Sequence, residues 1–430
     1  MALLERVSAR ESAVERSVSF LEHVFGYEQT DDFRVRLWNG GLWGKSRDPR
    51  FTLVLNHPGA LRAMFLAPSL LSLGEAFIFR DFDIEGDIEA IFYLADRLFA
   101  RERSVSETLR LRGLLAKLPS EARPRAVPRY GRLRGAQHSR ERDQQAVRYH
   151  YELPPEFYRL FLDEQMVYSC AYFASPADDL ETAQRNKLDY ICRKLRLQTG
   201  ERFLDIGCGW GALIVWAAQK YGARCLGITL SPTQAEVANQ RIREAGVTDR
   251  CRVEVCDYRD ISNSAQFDKI ASVGMIEHVG EAQFPEYFSC AYRLLRPGGV
   301  FLNHGIAQCA TYKRPGPSFI NKYVFPDGDM PPISTALRAA EYSNFEVRDV
   351  EDLREHYALT LHHWVQRLES HAAAAQQITD DTTYRIWRLY MAGSAHWFRT
   401  GKLNLYQTLL SKPQQGVSGL PLTRSDWYRS

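Results

Sequence analysis

Between residues 202 and 308, short apolar runs alternate with amphipathic segments, and this alternation constrains the fold more than any other feature of the chain. "RFLDIGCGWG" reads as a strand entering a glycine-rich turn, and "ALIVWAAQKYG" as a helix closed by Gly222. "RCLGITL" is the next strand. "SPTQAEVANQRIREAG" is the next helix, with Ser231 as N-cap and Pro232 at the first position, where the missing N–H leaves no bond unmade. "RVEVCD", "FDKIASVGM" and "GVFLNHGI" supply further strands, and "FPEYFSCAYRLLRPGG" a helix before the last of them. Repeated strand–helix units require crossovers, so the strands run parallel with helices on both faces: a doubly wound α/β sheet. Ligands of such sheets sit at the C-terminal strand ends. No repeat of fixed period is present.

At 430 residues the chain has room for two cores. Residues 1–118 read as a smaller α+β domain. Leu3, Leu4, Val7, Val14, Val18, Leu21 and Val24 recur at near-helical spacing over residues 1–27. "FRVRLWNGGLWG" and "RFTLVL" read as strands around a turn, and "LSLGEAFIFRDFDIEGDIEAIFYLADRLF" as short strands and a closing helix. Residues 119–145, rich in Pro, Gly and Arg, read as a basic linker, and 146–430 as the α/β domain. No run of about 18 apolar residues is present, which argues against a membrane span. The N-terminus carries acids throughout and lacks a signal-like apolar block, so a cytoplasmic protein is expected. The eight cysteines, Cys170 to Cys309, form no CxxC pair and are expected to be reduced thiols. Net charge is +3, but residues 101–150 hold 13 Lys/Arg against 5 Asp/Glu. That excess suits a solvated linker, an anionic membrane surface or nucleic acid.

In "LDIGCGWG", Gly207, Gly209 and Gly211 allow tight turning and close approach of a ligand, and Asp205 can accept hydrogen bonds. The third glycine comes one residue early for a dinucleotide fingerprint, and the acid expected about 20 residues later is absent, since the second strand ends "GITLS". The turn instead resembles the S-adenosylmethionine (SAM) signature of seven-stranded methyltransferases. The plainer reading of Asp205 is a strand-end cap.

From about 148 to 412 the chain resembles the cyclopropane-fatty-acyl-phospholipid synthases and the related mycolic acid enzymes. The carriers are "HYELPPEFYRLFLDEQMVYSCAYF", "LETAQRNKLDYICRKLRL", "FLDIGCGWG", "GITLSPTQ", "DYRD", "SVGMIEHVG", "YFSCAYRLLRPGG" and "INKYVFPDG". The N-terminal unit, with "LSLGEAFIFRDFDIEGD", resembles the extra lipid-binding-like domain of the bacterial synthases. The resemblance implies a seven-stranded SAM-dependent methyltransferase acting on unsaturated phospholipid acyl chains. It implies peripheral attachment to the inner membrane surface, a homodimer and no nucleic-acid partner. Family cofactor residues map onto Tyr168, Ser169, Asp205, Gly207, Gly209, Gly211, Thr229, Gln234, Asp257 and Tyr258, with Gln234 taking over ribose binding.

Methyl transfer to an alkene leaves a carbocation, and ring closure then needs a base in an apolar, water-free site. Aromatic faces can stabilise such a cation, although any single aromatic is more often core packing. The resemblance implies that the base is bound bicarbonate, held by Cys170, Glu277, His304, the backbone of Ile306, and Tyr357. Alone, Cys170 would read as a small buried hydrophobe and His304 as a satisfied strand-end histidine.

Glu277 and His278 end an apolar run and invite three readings: cap, metal site or acid–base pair. Adjacent side chains diverge on strand or helix, so different tasks are expected, with His278 structural or supporting a site residue from behind. No metal is expected, because neither HxxxH nor CxxC spacing occurs. Two departures from the family pattern stand out: "MAGSAHWFR" has Ser394 where many relatives carry Cys, and "HYELPP" replaces a commoner "HYDLxN". Two other outcomes stay open: a methyl- or methylene-branched lipid product, and a non-catalytic lipid- or RNA-binding protein.

Overall fold

The computed structural model describes residues 2–120, 133–151, 153–262, 266–312 and 318–428, with side chains from residue 12 onward. The chain divides into two compact units. One comprises the described residues of Met1–Tyr130, Arg314–Val324 and Asp380–His396; the other those of Gly131–Lys313, Phe325–Thr379 and Trp397–Ser430. The division therefore does not follow one cut in the sequence, because two segments from beyond residue 146 cluster with the N-terminal residues. A helix, Arg140–Tyr151, begins inside the stretch read as linker, and residues 121–132 of that stretch lie outside the described residues.

The first unit holds a four-stranded sheet ordered β2-β1-β3-β4, built from β1 (Phe33–Arg36), β2 (Leu42–Trp43), β3 (Phe51–Leu55) and β4 (Phe82–Gly86). β1 and β3 run parallel, and Phe33 stacks on its register partner Phe51 at 5.5 Å. The helix Ala2–Phe25 buries Phe20, Leu21, Val24 and Phe25. "LSLGEAFI" is a helix, Leu70–Ile78, not the expected short strands. Ser69 caps it by accepting from the Ser72 N–H, and Ser72 returns a bond to the Ser69 N–H. The late segments join this unit through polar anchors. Arg385 donates to the carbonyls of Phe77 and Phe82 and to both oxygens of Asp83. Lys322 and Tyr323 converge on Glu75 at 2.5 and 2.9 Å.

The second unit is built on seven strands: β5 (Arg202–Ile206), β6 (Arg224–Thr229), β7 (Cys251–Val255), β8 (Phe267–Val273), β9 (Leu295–Gln308), β10 (Glu346–Asp352) and β11 (Leu403–Ser411). Their order is β10-β11-β9-β8-β5-β6-β7. Pairing is parallel from β9 through to β7, while β11 is antiparallel to both neighbours, so the sheet is mixed. Strand order reverses at β5, which places the ligand crevice at the C-terminal ends of β5 and β8. Helices pack on both faces over apolar cores that contain Phe203, Ile214 and Ala238 on one side and Ile270, Phe288 and Phe301 on the other.

Candidate active site

β5 ends at Ile206, and the glycines after it all take positive φ: 81° at Gly207, 53° at Gly209 and 83° at Gly211. Gly211 caps the helix Ala212–Tyr221, and a Cβ there would lie 3.0 Å from the Ala238 Cβ. It therefore lets that helix pack closely against Pro232–Glu244, which carries Ala238. Gly207 and Gly209 border a cavity of about 150 Å³ at the predicted crevice. Nine of the ten residues expected to hold SAM line it: Tyr168, Ser169, Asp205, Gly207, Gly209, Thr229, Gln234, Asp257 and Tyr258. Gly211 does not line it.

Each lining residue has a distinct support. Asp205 is 2% exposed and its Oδ1 has no hydrogen-bond partner. Burial pushes its carboxyl up to about 7, opposed by the Lys187 charge. Thr229 ends β6 and donates to Gln234 Oε1 at 2.7 Å, while Ser231 caps the helix by accepting from the Gln234 N–H. Asp257 is partly buried, yet the Arg259 guanidinium and backbone N–H hold its carboxyl below the usual range. Arg259 also reaches Asp143, on the helix Arg140–Tyr151, at 3.2 Å. That helix supplies Asp143, Val147 and Tyr151 to the cavity wall. Tyr168 packs against Trp364 at 5.2 Å and against His150 at 5.7 Å.

The five other predicted residues do not line this cavity and form two groups. Glu277 lies in a 3₁₀ turn, Ile276–His278. Its Oε1 accepts from the Ile306 N–H at 2.6 Å, and its buried Oε2 has no partner. Burial pushes this carboxyl up to about 7, opposed by the backbone N–H bond. His304 lies two residues before Ile306 on β9, hence on the same face. It is 1% exposed, and burial and the charges of Lys187 and Lys194 hold it well below the usual histidine range. Gln407 donates to its Nδ1 at 3.1 Å, so the neutral ring carries its proton on Nε2, which has no partner. Cys170 and Tyr357 meet at Leu353, whose carbonyl lies 3.8 Å from the Cys170 thiol and accepts from the Tyr357 N–H. The Leu353 N–H bonds Leu405, the register partner of Ile306, which links the two groups. Burial raises the thiol pKa, so Cys170 stays protonated. Tyr357 rests on Phe398 at 4.6 Å.

His278 lines the cofactor cavity, and burial lowers its pKa to about 4. Lys187, Arg259 and Asp143 also line the cavity and were not singled out in the sequence. For Lys187 a signal existed. It stands at a core position of the helix Leu180–Leu195, in phase with buried Leu180, Ala183, Gln184, Leu188 and Ile191. Among the described residues, no cluster of His, Cys, Asp and Glu is arranged to hold a metal ion.

These residues fit a bound SAM, since a buried carboxylate oxygen without a partner awaits a cationic group beside a bare glycine turn. They also fit a small oxyanion, for which Glu277 and His304 each keep one buried polar atom unsatisfied. Residues 138–408 match the family described as mycolic acid cyclopropane synthetase, and residues 20–104 match a domain of unknown function. A probable fatty acid methyltransferase of Pseudomonas putida is 40% identical over 92% of this chain and 96% of its own length. The cyclopropane-fatty-acyl-phospholipid synthase of Escherichia coli is 38% identical over 61% of this chain and 66% of its own. The solved mycolic acid cyclopropane synthase CmaA1, complexed with SAH and CTAB, is 34% identical over 62% of this chain and 97% of its own, with a TM-score of 0.59. On sheet order, site and sequence match together, the chain belongs to the mycolic acid cyclopropane synthetase family and is a SAM-dependent methyltransferase.

Proposed function

We propose that this enzyme adds a one-carbon unit from SAM to the cis double bond of an unsaturated phospholipid acyl chain and closes a cyclopropane ring. The observation that carries this reading is the pair of buried polar atoms without partners, Glu277 Oε2 and His304 Nε2, held by β9 and the 276–278 turn. Methyl transfer to an alkene calls for such groups, because the resulting cation must lose a proton in a dry site.

SAM supplies an electrophilic methyl group. Bicarbonate, held by Cys170, Glu277, His304 and Tyr357, would supply a base; the backbone N–H of Ile306, the fifth expected holder, already bonds Glu277 Oε1 and would act through it. The chain's own part is positioning. Ionised Glu277 accepts a hydrogen bond on Oε2 while the Ile306 N–H fixes Oε1. His304 donates from Nε2, and Gln407 fixes its ring. Tyr168, Trp364, Tyr357 and Phe398 form a run of touching rings that excludes water and offers π-faces to a cation.

A membrane-surface substrate is supported by the helix Val105–Ala116, which exposes Val105 (78%) and Leu109 (62%) beside Arg110 and Arg112. None of the described helices is long and apolar enough to cross a membrane. On this reading residues 1–118 position the catalytic unit on the inner membrane surface. The dimer is proposed from the family resemblance.

A second reading, a methyl- or methylene-branched product, draws support from the name of the Pseudomonas putida relative. Incubation with methyl-labelled SAM and defined unsaturated vesicles, followed by NMR of the released acyl chains, separates the two. High-field ring protons are expected. Vinylic protons or a branched methyl signal would replace the cyclopropane reading with the second.

A further inference from the structure

We propose that Lys187 binds the carboxylate of the SAM amino-acid moiety, so that Lys187 and Asp205 form a fixed pair of opposite charges matched to a zwitterion. This rests on SAM as the cofactor and goes further, by assigning one of its groups to a residue outside the expected set.

Lys187 is 2% exposed, and its Nζ donates to Ser169 Oγ at 2.9 Å. An ammonium has three donors, and among the described residues no carboxylate lies within 4.0 Å of this one. Two donors are thus left for whatever enters the cavity that Lys187 and Ser169 both line. Asp163, Cys170 and Asp205 are the ionisable groups that oppose its loss of charge, and neutral His304 lies within its field. The Asp163 carboxylate is taken up by the N–H groups of Val167 and Gln165 at 2.8 and 3.0 Å. Burial lowers the ammonium pKa to about 8, with those three groups opposing, so it is mostly charged at neutral pH.

A buried charge without a partner is costly and calls for a ligand that completes it. The complementary vacancy is Asp205 Oδ1, in the same cavity and also without a partner. The amino-acid end of SAM carries an ammonium and a carboxylate. The ammonium suits Asp205, and the carboxylate needs a donor. Lys187 and Arg259 are the two Lys or Arg side chains lining the cavity. Arg259 is engaged by Asp257 and Asp143, which leaves Lys187.

The test is a ligand cycle on the full-length protein, with affinities for SAM and for decarboxylated SAM measured by calorimetry. Decarboxylated SAM keeps the ammonium and sulfonium and lacks only the carboxylate. Lys187→Met is expected to weaken SAM by roughly tenfold to a hundredfold, the range for a charge-assisted hydrogen bond. The same change should leave the decarboxylated ligand unchanged or tighter, since a like charge has been removed. Equal weakening of both ligands would show a structural role only and overturn the proposal. Thermal melting reports whether the variant folds. If it does not, Lys187→Gln, which drops the charge but keeps a donor, should shift the ratio of the two affinities in the same direction, and an unshifted ratio also overturns the proposal. Wild-type protein that bound neither ligand would instead overturn the cofactor assignment beneath it.

Discussion

Glu277 shows what burial does to a carboxyl. One oxygen is fixed by the Ile306 N–H at 2.6 Å, the other is buried without a partner, and the pKa rises to about 7. If the ionised form accepts the hydrogen bond that orients the base, kcat/KM should climb about tenfold per pH unit below 7 and level off above it. Glu277→Gln should remove that limb and cut kcat by roughly 10²–10⁴-fold while SAM affinity stays within about twofold. Near wild-type turnover with the same pH profile would sink the role. Stability moves the other way. The folded state holds this proton more tightly than the unfolded chain does, so the contribution is full below the ordinary glutamate pKa. It is lost as pH rises to about 7. Urea titrations should therefore show Glu277→Gln gaining on wild type between acid and alkaline pH, by up to about 3 kcal/mol. The type of this residue was legible in the sequence. That it diverges from His278 was legible too, since adjacent residues separate by about a third of a turn in a 3₁₀ turn; which neighbours each meets was not, because that depends on contacts distant in sequence. That angle sends Glu277 to β9 and His278 to the cofactor cavity.

Among the elements, the legible ones have punctuation that agrees with their periodicity. Ser231 and Pro232 start a helix where expected, and Gly222 ends another with φ 66°. Leu70–Ile78 was misread because a short buried apolar run fits strand and helix alike, and its deciding signal was the Ser69–Ser72 cap. β10 and β11 had no individual signature. β10 reads "EVRDVED", too acidic for a buried strand, because it is an edge strand paired on one side only. The helix Arg140–Tyr151 hid in a segment read as linker, since its mean composition is strongly polar. The Arg259 bridge from Asp257 to Asp143 ties it to the cavity wall, alongside the pairs Arg140–Asp260 and Arg142–Asp327. Arg259→Met should loosen that helix and raise the SAM dissociation constant roughly tenfold, with a lowered melting temperature because the bridge is largely buried and Asp257 loses its cation. An unaltered dissociation constant would show that the helix needs no such anchor.

For the molecule as a whole, the question is how the catalytic sheet would meet the bilayer substrate proposed for it. Truncation after residue 118 is a poor probe of this. Removing residues 1–118 would strip Phe77, Phe82 and Asp83 from the buried Arg385, and Glu75 from Lys322, at a cost in stability. Loss of activity would then report unfolding. Substitution of exposed residues avoids the problem. Val105 and Leu109 sit one helical turn apart, exposed by 78% and 62%, and contribute little to the core. Val105→Glu with Leu109→Glu removes apolar surface and adds negative charge where an anionic bilayer would lie. Transfer of two aliphatic side chains is worth a few kcal/mol, so binding to anionic vesicles should fall at least about tenfold. Turnover of vesicle lipid should fall with it, while SAM affinity and turnover of detergent-dispersed lipid persist. Equal losses in detergent would place the defect in folding or catalysis, and unchanged vesicle binding would move the contact surface elsewhere. Salt separates the two forces that act here. Charge attraction from Arg110 and Arg112 weakens within a Debye length of about 8 Å, whereas the apolar contribution does not. Wild-type binding that vanished entirely in high salt would therefore make the basic residues, and not Val105 and Leu109, the principal contact.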